Sequence, residues 1–167
     1  MNESTDIRLR SAIPALRRYS RILTRDPHRA EDLVQDCLER ALRRMHQVRD
    51  LSDLRPWLFT IAYRLHISQW RRLKSLVTPT ETTPEPIQDA PQIPHLEWKE
   101  VINAFERLSD EHRQVLLLVG VEGLEYETVS DILGVPIGTV MSRLSRARDA
   151  LHRLVDQGNR PKLRRVK

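Results

Sequence analysis

The sequence predicts an all-α chain: two small helical domains joined by a proline-rich linker, the second containing a helix-turn-helix. Three observations carry this. All five glycines lie after residue 119, whereas strand-rich folds need many glycine turns. Apolar residues recur at steps of three and four, the helical period. Five of the ten prolines crowd into residues 78–94, and prolines this dense cannot continue a helix. The 167 residues amount to roughly one domain of ~150 residues, or two small ones, since helical domains of about 60 residues fold alone, though marginally.

The first helix is predicted near residues 6–24, with Ile13, Leu16, Tyr19 and Leu23 as its apolar side. Asp26-Pro27 supplies an N-cap and a first-turn proline for the second helix. Its apolar stripe is Ala30, Leu33, Val34, Cys37, Leu38, Ala41, Leu42 and Met45. A third helix is predicted from about Arg55 to Leu73, with Pro56 in its first turn and Leu58, Ile61, Ala62 and Leu65 as its stripe. The proline-dense stretch then reads as an extended linker of about 20 residues. A structureless stretch that long is unusual inside one compact domain, so it divides the chain: 1–75, a linker over 76–95, 96–157, and a basic tail over 158–167. Helical periodicity resumes at Leu96, with Val101, Ile102, Phe105 and Leu108. Ser109 caps the next helix, which carries Val115, Leu116 and Val119 and is expected to break at Gly120 and Gly123. A short helix over about 125–133 and a longer one over 136–155 complete the chain.

Several function classes are excluded. No apolar run approaches the ~18 residues that span a bilayer. Residues 1–20 are charged throughout, with no apolar h-region of a signal peptide. No stable membrane insertion and a cytoplasmic location are therefore expected. Cys37 is the one cysteine, which excludes an intramolecular disulfide and a multi-cysteine metal site; its place on the apolar stripe makes it core. The six histidines show no His-Glu-x-x-His spacing, and there is no glycine-rich phosphate loop. No metal, cofactor or catalytic residue is expected, and the chain does not read as an enzyme.

The net charge of +5 is modest, but it is unevenly distributed. Residues 1–72 carry +6, 73–95 carry −2, 96–131 carry −6 and 132–167 carry +7. Two basic blocks split by acidic ones suggest two contacts with a polyanion; ordinary charge patterning gives the same counts.

Three segments carry chemistry. Residues 126–148 read as a helix-turn-helix. Ser130 is small where the helices approach, Gly134 stands where a left-handed cap ends the first helix, and Val135-Pro136 make the turn. Val129, Leu133, Val140 and Leu144 can close the core between the helices. The second helix then presents Thr139, Ser142, Arg143, Arg146 and Arg148, equipment for a major groove; a plain helical hairpin with a solvated basic face is the other reading. In residues 30–42, Asp32, Gln35, Asp36 and Glu39 share one face at about 100° per residue. That face is either simply solvated or an acidic docking stripe for a basic protein surface. In residues 54–74, Arg55, Arg64, Arg71, Arg72 and Lys74 are interleaved with Trp57, Phe59, Tyr63 and Trp70, with no acid between Asp53 and Glu81. Such a segment can hold a single strand by phosphate contacts and base stacking. Trp57 is expected in the core, and Tyr63 and Trp70 at the surface.

Together these segments resemble the compact extracytoplasmic-function group of bacterial sigma factors. The likeness runs from about Ile13 to Val155, in order, through Ala30-Glu-Asp-Leu-Val-Gln-Asp, Arg55-Pro-Trp-Leu-Phe-Thr-Ile-Ala and Gly134-Val-Pro-Ile-Gly-Thr-Val-Met-Ser-Arg-Leu-Ser-Arg-Ala-Arg. The resemblance implies binding to core RNA polymerase, with the clamp helices of the largest subunit meeting Asp32, Gln35, Asp36 and Glu39, and the flap as a further contact. It implies opening of the minus-ten promoter element, with a base captured by the loop at about 47–53, including Val48, Arg49 and Asp50. Tyr63, Arg64, Ile67, Arg71 and Arg72 would hold the strand. It implies reading of the minus-thirty-five element by Thr139, Met141, Ser142, Arg143, Ser145, Arg146 and Arg148. Met141 and Ser145 stand where many relatives place a basic and an aromatic or histidine residue; Met141 can meet a thymine methyl or pack. The linker would thread near the RNA exit path, and an anti-sigma protein would be the expected regulator. The alternative from another class is a stand-alone helix-turn-helix regulator, with residues 1–75 as a dimerisation or ligand domain.

Overall fold

The computed structural model describes residues 3–48, 50, 54–76 and 96–158. Most of the expected linker, Arg49, residues 51–53 and most of the tail lie outside them. The elements are α1 (Glu3–Thr24), α2 (Pro27–Arg44) with a short 3-10 turn (Met45–Gln47), α3 (Leu54–Leu76), α4 (Leu96–Glu106), α5 (Asp110–Val115), a π-helical turn (Leu116–Val121), α6 (Tyr126–Leu133) and α7 (Ile137–Gly158). No strand occurs among the described residues, as the glycine distribution predicts.

Helices α1, α2 and α3 pack on one another in pairs. Asp26 stands at the N-cap of α2, and its carboxylate accepts the Arg29 N–H at 2.8 Å. The expected stripe of α2 is core: Ala30, Leu33, Val34, Cys37 and Ala41 are buried. Leu42 departs from it and is 46% exposed. Tyr19 of α1 meets Phe59 of α3 with ring centroids 5.1 Å apart and a 56° tilt, within the range of favourable aromatic pairs. Cys37 donates to the Leu58 carbonyl at 3.4 Å, and burial pushes its thiol up to about 12. It is a core residue without thiolate reactivity. Trp57 is only partly buried, against the edge of that core.

Helices α4 to α7 form the second set, with α7 packed on α4, α5 and α6. Ser109 caps α5, its hydroxyl accepting the His112 N–H at 3.4 Å. The expected break at Gly120 does not occur. The backbone widens into a π turn, and Glu122 N–H reaches the Leu117 carbonyl at 2.9 Å. The helix ends later, at Gly123, whose φ of +68° suits glycine. Widening carries the chain through Gly120 while Leu117 and Leu118 stay in the core.

The two sets share one continuous core, in which Val115, Leu117 and Leu118 join Leu16, Leu58 and Phe59. Helix α5 lies against α1, and α6 against α3. Ion pairs frame the junction. Glu122 accepts Arg18 Nη2 at 2.7 Å and lies 3.6 Å from Arg55 Nη1. Asp110 accepts Arg25 Nη2 at 2.7 Å and also pairs with Arg113.

His66 of α3 is half-buried. Burial, then the neighbouring Arg29, lowers its pKa, with Asp110 opposing. Its unfolded value is about 6.5. As the pH falls below that, the unfolded chain takes the proton first, so the stability His66 contributes is complete above ~6.5 and is lost as pH falls through the folded value. Thermal melts between pH 7.5 and 5.5 are expected to fall more steeply for the natural chain than for His66→Gln.

Candidate nucleic-acid interface

Four residues hold the helix-turn-helix in shape. Gly134 takes the left-handed conformation, φ +65° and ψ +36°, at the end of α6. The Ser130 carbonyl accepts Gly134 N–H at 2.8 Å and Val135 N–H at 3.2 Å. The Ser130 hydroxyl donates to the Val135 carbonyl at 2.6 Å. The Pro136 carbonyl then starts α7, accepting Thr139 N–H at 2.8 Å. Val129, Leu133, Val140 and Leu144 are buried between the helices, as the spacing predicts.

Helix α7 turns Val140, Leu144 and Ala147 inward. At about 100° per residue, Ser142, Ser145 and Arg146 lie opposite that side, and all three are exposed. Met141, 52% exposed, and Arg148 flank them on one side, Thr139 and Arg143 on the other. Arg143 differs from the expectation of an outward side chain. It leans on α5, with Nη2 2.7 Å from Glu111 Oε1. The outward face thus offers hydroxyls, a thioether and the Arg146 and Arg148 guanidinia, groups suited to base edges and phosphates.

On α3, Tyr63, Arg64, Ile67, Ser68, Arg71 and Arg72 line one shallow groove. Five of the six are the residues expected to hold a single strand. Ser68 is the addition; it sits one helical turn from Arg64 and Arg72, a signal present in the spacing. Trp70 is 51% exposed and, by helical phase, lies beside Tyr63 and Ile67. Three cations with aromatic and aliphatic surface can contact phosphates while a base stacks. Of the preceding loop, Val48 packs against the core and Asp50 is exposed, whereas Arg49 lies outside the described residues.

Asp32, Gln35, Asp36 and Glu39 are all exposed on α2, but they divide between two sides. Asp32, Gln35 and Glu39 line a groove with Arg17, Leu38 and Leu42. Asp36 turns toward α3 and accepts Gln69 Nε2 at 3.0 Å. The α2 face is therefore acidic with an apolar floor, where the exposed Leu42 replaces a core role. The sequence reading missed Leu42 because its spacing is that of the core stripe. Among the described residues no group of His, Cys, Asp and Glu is placed to hold a metal ion, and no helix is long and apolar enough to cross a membrane.

Known proteins share this arrangement. The family described as the Sigma2 domain of PhyR matches residues 9–63, and the family Sigma-70, region 4 matches residues 98–151. The chain is 36% identical over 147 residues to the ECF RNA polymerase sigma factor EcfG of Rhodopseudomonas palustris (strain TIE-1), covering 87% of this chain and 81% of the relative. It is 34% identical over 145 residues to the ECF RNA polymerase sigma factor SigM of Bacillus subtilis (strain 168), covering 84% and 88%. In structure it is similar to the sigma factor RpoE from Bartonella quintana, solved in complex with the anti-sigma factor NepR. The TM-score is 0.73 at 32% identity, covering 93% of this chain and 98% of that one.

The Ser130 hydroxyl ties α6 to the turn at the Val135 carbonyl, so Ser130→Ala is expected to lower stability by about 1 kcal/mol. A thermal melt of the variant beside the natural chain checks this.

Proposed function

The chain belongs to the ECF group of RNA polymerase sigma factors, and on that premise we propose how its surfaces divide the work of promoter-specific initiation. The acidic, apolar-floored face of α2, with Asp32, Gln35, Asp36 and Glu39, docks on the clamp helices of core polymerase. The α3 groove of Tyr63, Arg64, Ile67, Arg71 and Arg72, with Ser68 added, holds the opened minus-ten strand, and the loop at Val48, Arg49 and Asp50 receives its flipped base. Helix α7 enters the major groove of the minus-thirty-five element through Ser142, Ser145 and Arg146, with Met141 and Arg148 on one flank and Thr139 and Arg143 on the other. Residues 1–75 and 96–157 act as the two functional domains, and 76–95 as the linker. The protein acts in the cytoplasm, where its polymerase and promoter are, and an anti-sigma protein restrains it. Support for that restraint is the likeness to a sigma factor solved with its anti-sigma factor.

The observation that carries the reading is the succession on one chain of a Sigma2-type and a region 4-type segment, the first running into the basic groove of α3 and the second carrying the basic outward face of α7. A stand-alone regulator needs the second segment alone.

Co-elution with bacterial core RNA polymerase tests the docking. The natural chain is expected to co-elute stoichiometrically, and Asp36→Arg to lose binding with its helix content intact. If the variant binds with unchanged affinity, the docking face is misplaced; if the folded natural chain, free of any inhibitor, does not co-elute, a stand-alone regulator replaces the reading. Arg146→Ala is expected to weaken upstream duplex binding by ~1–3 kcal/mol and to relax preference at one base position. A footprint unchanged in strength and sequence preference removes Arg146 from the reading set.

A further inference from the structure

Arg143 stands apart from the other cations at the reading face of α7. Arg146 and Arg148 are exposed, and neither takes part in an ion pair among the described residues. The Arg143 side chain is 23% exposed and ends on Glu111, its Nη2 2.7 Å from Oε1. Glu111 lies in the first turn of α5, just after the cap at Ser109. Its neighbour Asp110 is taken by Arg25 and Arg113. Glu111 pairs instead with Arg143 and keeps 62% of its side chain exposed. Helix α5 packs directly on α7, so the pair lies within one helical set.

The place of Arg143 on α7 decides what that pairing meets. An α-helix with its side chains is ~10–12 Å across, and the major groove is about 12 Å wide. A helix laid in the groove therefore meets base edges with its outward face and the two phosphate walls with its flanks. The inward side of α7 is marked by Val140, Leu144 and Ala147. At about 100° per residue, Arg143 and Arg148 fall on opposite flanks, each about 110° from the middle of the outward face. One wall thus meets Arg148, and the other meets Arg143 with a carboxylate already attached. A phosphate and Glu111 are anionic acceptors for the same guanidinium. When the phosphate takes Arg143, the Glu111 carboxylate is left without its cation and close to a like charge.

We propose that Glu111 is an internal competitor for the DNA backbone: it holds Arg143 in the free protein, yields it to a phosphate when α7 enters a duplex, and so lowers affinity for every duplex by the same factor. This rests on the reading of α7 as a major-groove helix. Glu111 stands on α5, off the outward face, so sequence preference stays with the base-facing side chains of α7 while the backbone share of the affinity is trimmed. An exposed pair is worth little by itself, which keeps the exchange reversible and the factor small. The result is a helix that holds a duplex firmly only where its base contacts are right.

The test uses the full-length chain and a pool of fluorescein-labelled duplexes of randomised sequence, with affinity read by anisotropy between roughly 50 and 200 mM salt. Glu111→Gln is expected to tighten binding to the pool about two- to fivefold, the strength of an exposed pair. It is also expected to steepen the fall of log affinity with log salt by up to about 0.9, the share of one charge. In an Arg143→Gln background the same change is expected to do little, since no guanidinium is left to compete for. The sequences selected from the pool are expected to be the same with and without Glu111. A purely structural role of the pair predicts the opposite sign, a loss of affinity when it is broken. Binding unchanged or weakened by Glu111→Gln, with helix content intact, therefore overturns the competition and leaves the reading of α7 standing. An equal gain in the Arg143→Gln background, which marks plain repulsion, overturns it too, as does a changed sequence preference. If neither the natural chain nor Glu111→Gln binds any duplex, the reading of α7 falls and the competition falls with it.

Discussion

A carboxylate removed from water has few ways to remain ionised, and at Glu122 the solution is to borrow charge across the molecule. Its partners stand far back along the chain, Arg18 by 104 residues and Arg55 in helix α3, and belong to helices that form a bundle of their own. The pairing is possible because the π turn just before it shifts the helix register. With i to i−5 bonding at Glu122, Leu117 and Leu118 face the core that α1 and α3 also line, and Glu122 arrives at its rim within reach of Arg18 and Arg55. The apolar contact and the ion pair are thus products of one backbone irregularity. The buried pair does not by itself make the packing of the two sets strongly stable, since desolvation offsets much of the attraction. A slipped packing of the two sets leaves the Glu122 carboxylate without its partners, which is costly.

The same economy appears in the helix-turn-helix. Gly134 supplies a conformation that side-chain-bearing residues resist, Ser130 satisfies the turn's backbone, and four apolar residues close the hairpin. With the turn fixed from within, α7 is free to present polar groups outward. Arg143 is the exception, drawn back to Glu111 on α5. Because both side chains sit at a partly exposed surface, that contact is easily exchanged for a phosphate. Its effect is to keep a long cation ordered beside the reading face.

Much of this was legible in the sequence. Helical spacing and the cap at Asp26 place α1, α2 and α3, and the Gly134-Val-Pro136 run places the turn. The α3 groove was readable residue by residue, because local helical phase alone brings Tyr63, Arg64, Ile67, Arg71 and Arg72 together; only Ser68 was overlooked. What failed to show depends on distant contacts. Gly120 reads as a helix breaker, yet tertiary packing of Leu117 and Leu118 carries the helix through it. Leu42 continues the steps of three and four but, at about 100° per residue, falls beside Gln35 and Glu39 rather than in line with Ala30 and Ala41, and it is 46% exposed. The charge blocks held a signal that was read in one direction only. The acidic stretch 96–131 lies between basic blocks, and part of it is complementary to them inside the molecule: Asp110 and Glu122 to the first block, Glu111 to the last. The surplus of positive charge that remains outward is what a polyanion meets.

Arg25, at the turn between α1 and α2, has a φ of +55°. For a residue with a side chain, the left-handed region costs about 1–2 kcal/mol, and glycine would avoid it. Yet it is the arginine's side chain that bridges to Asp110 and the Leu108 carbonyl. Backbone and side chain therefore make opposed demands at one position, a local frustration in a landscape where such conflicts are normally smoothed away. Its effect is to narrow the energy gap between this packed arrangement and its competitors, so that the turn is held by its side-chain contacts rather than by its backbone preference.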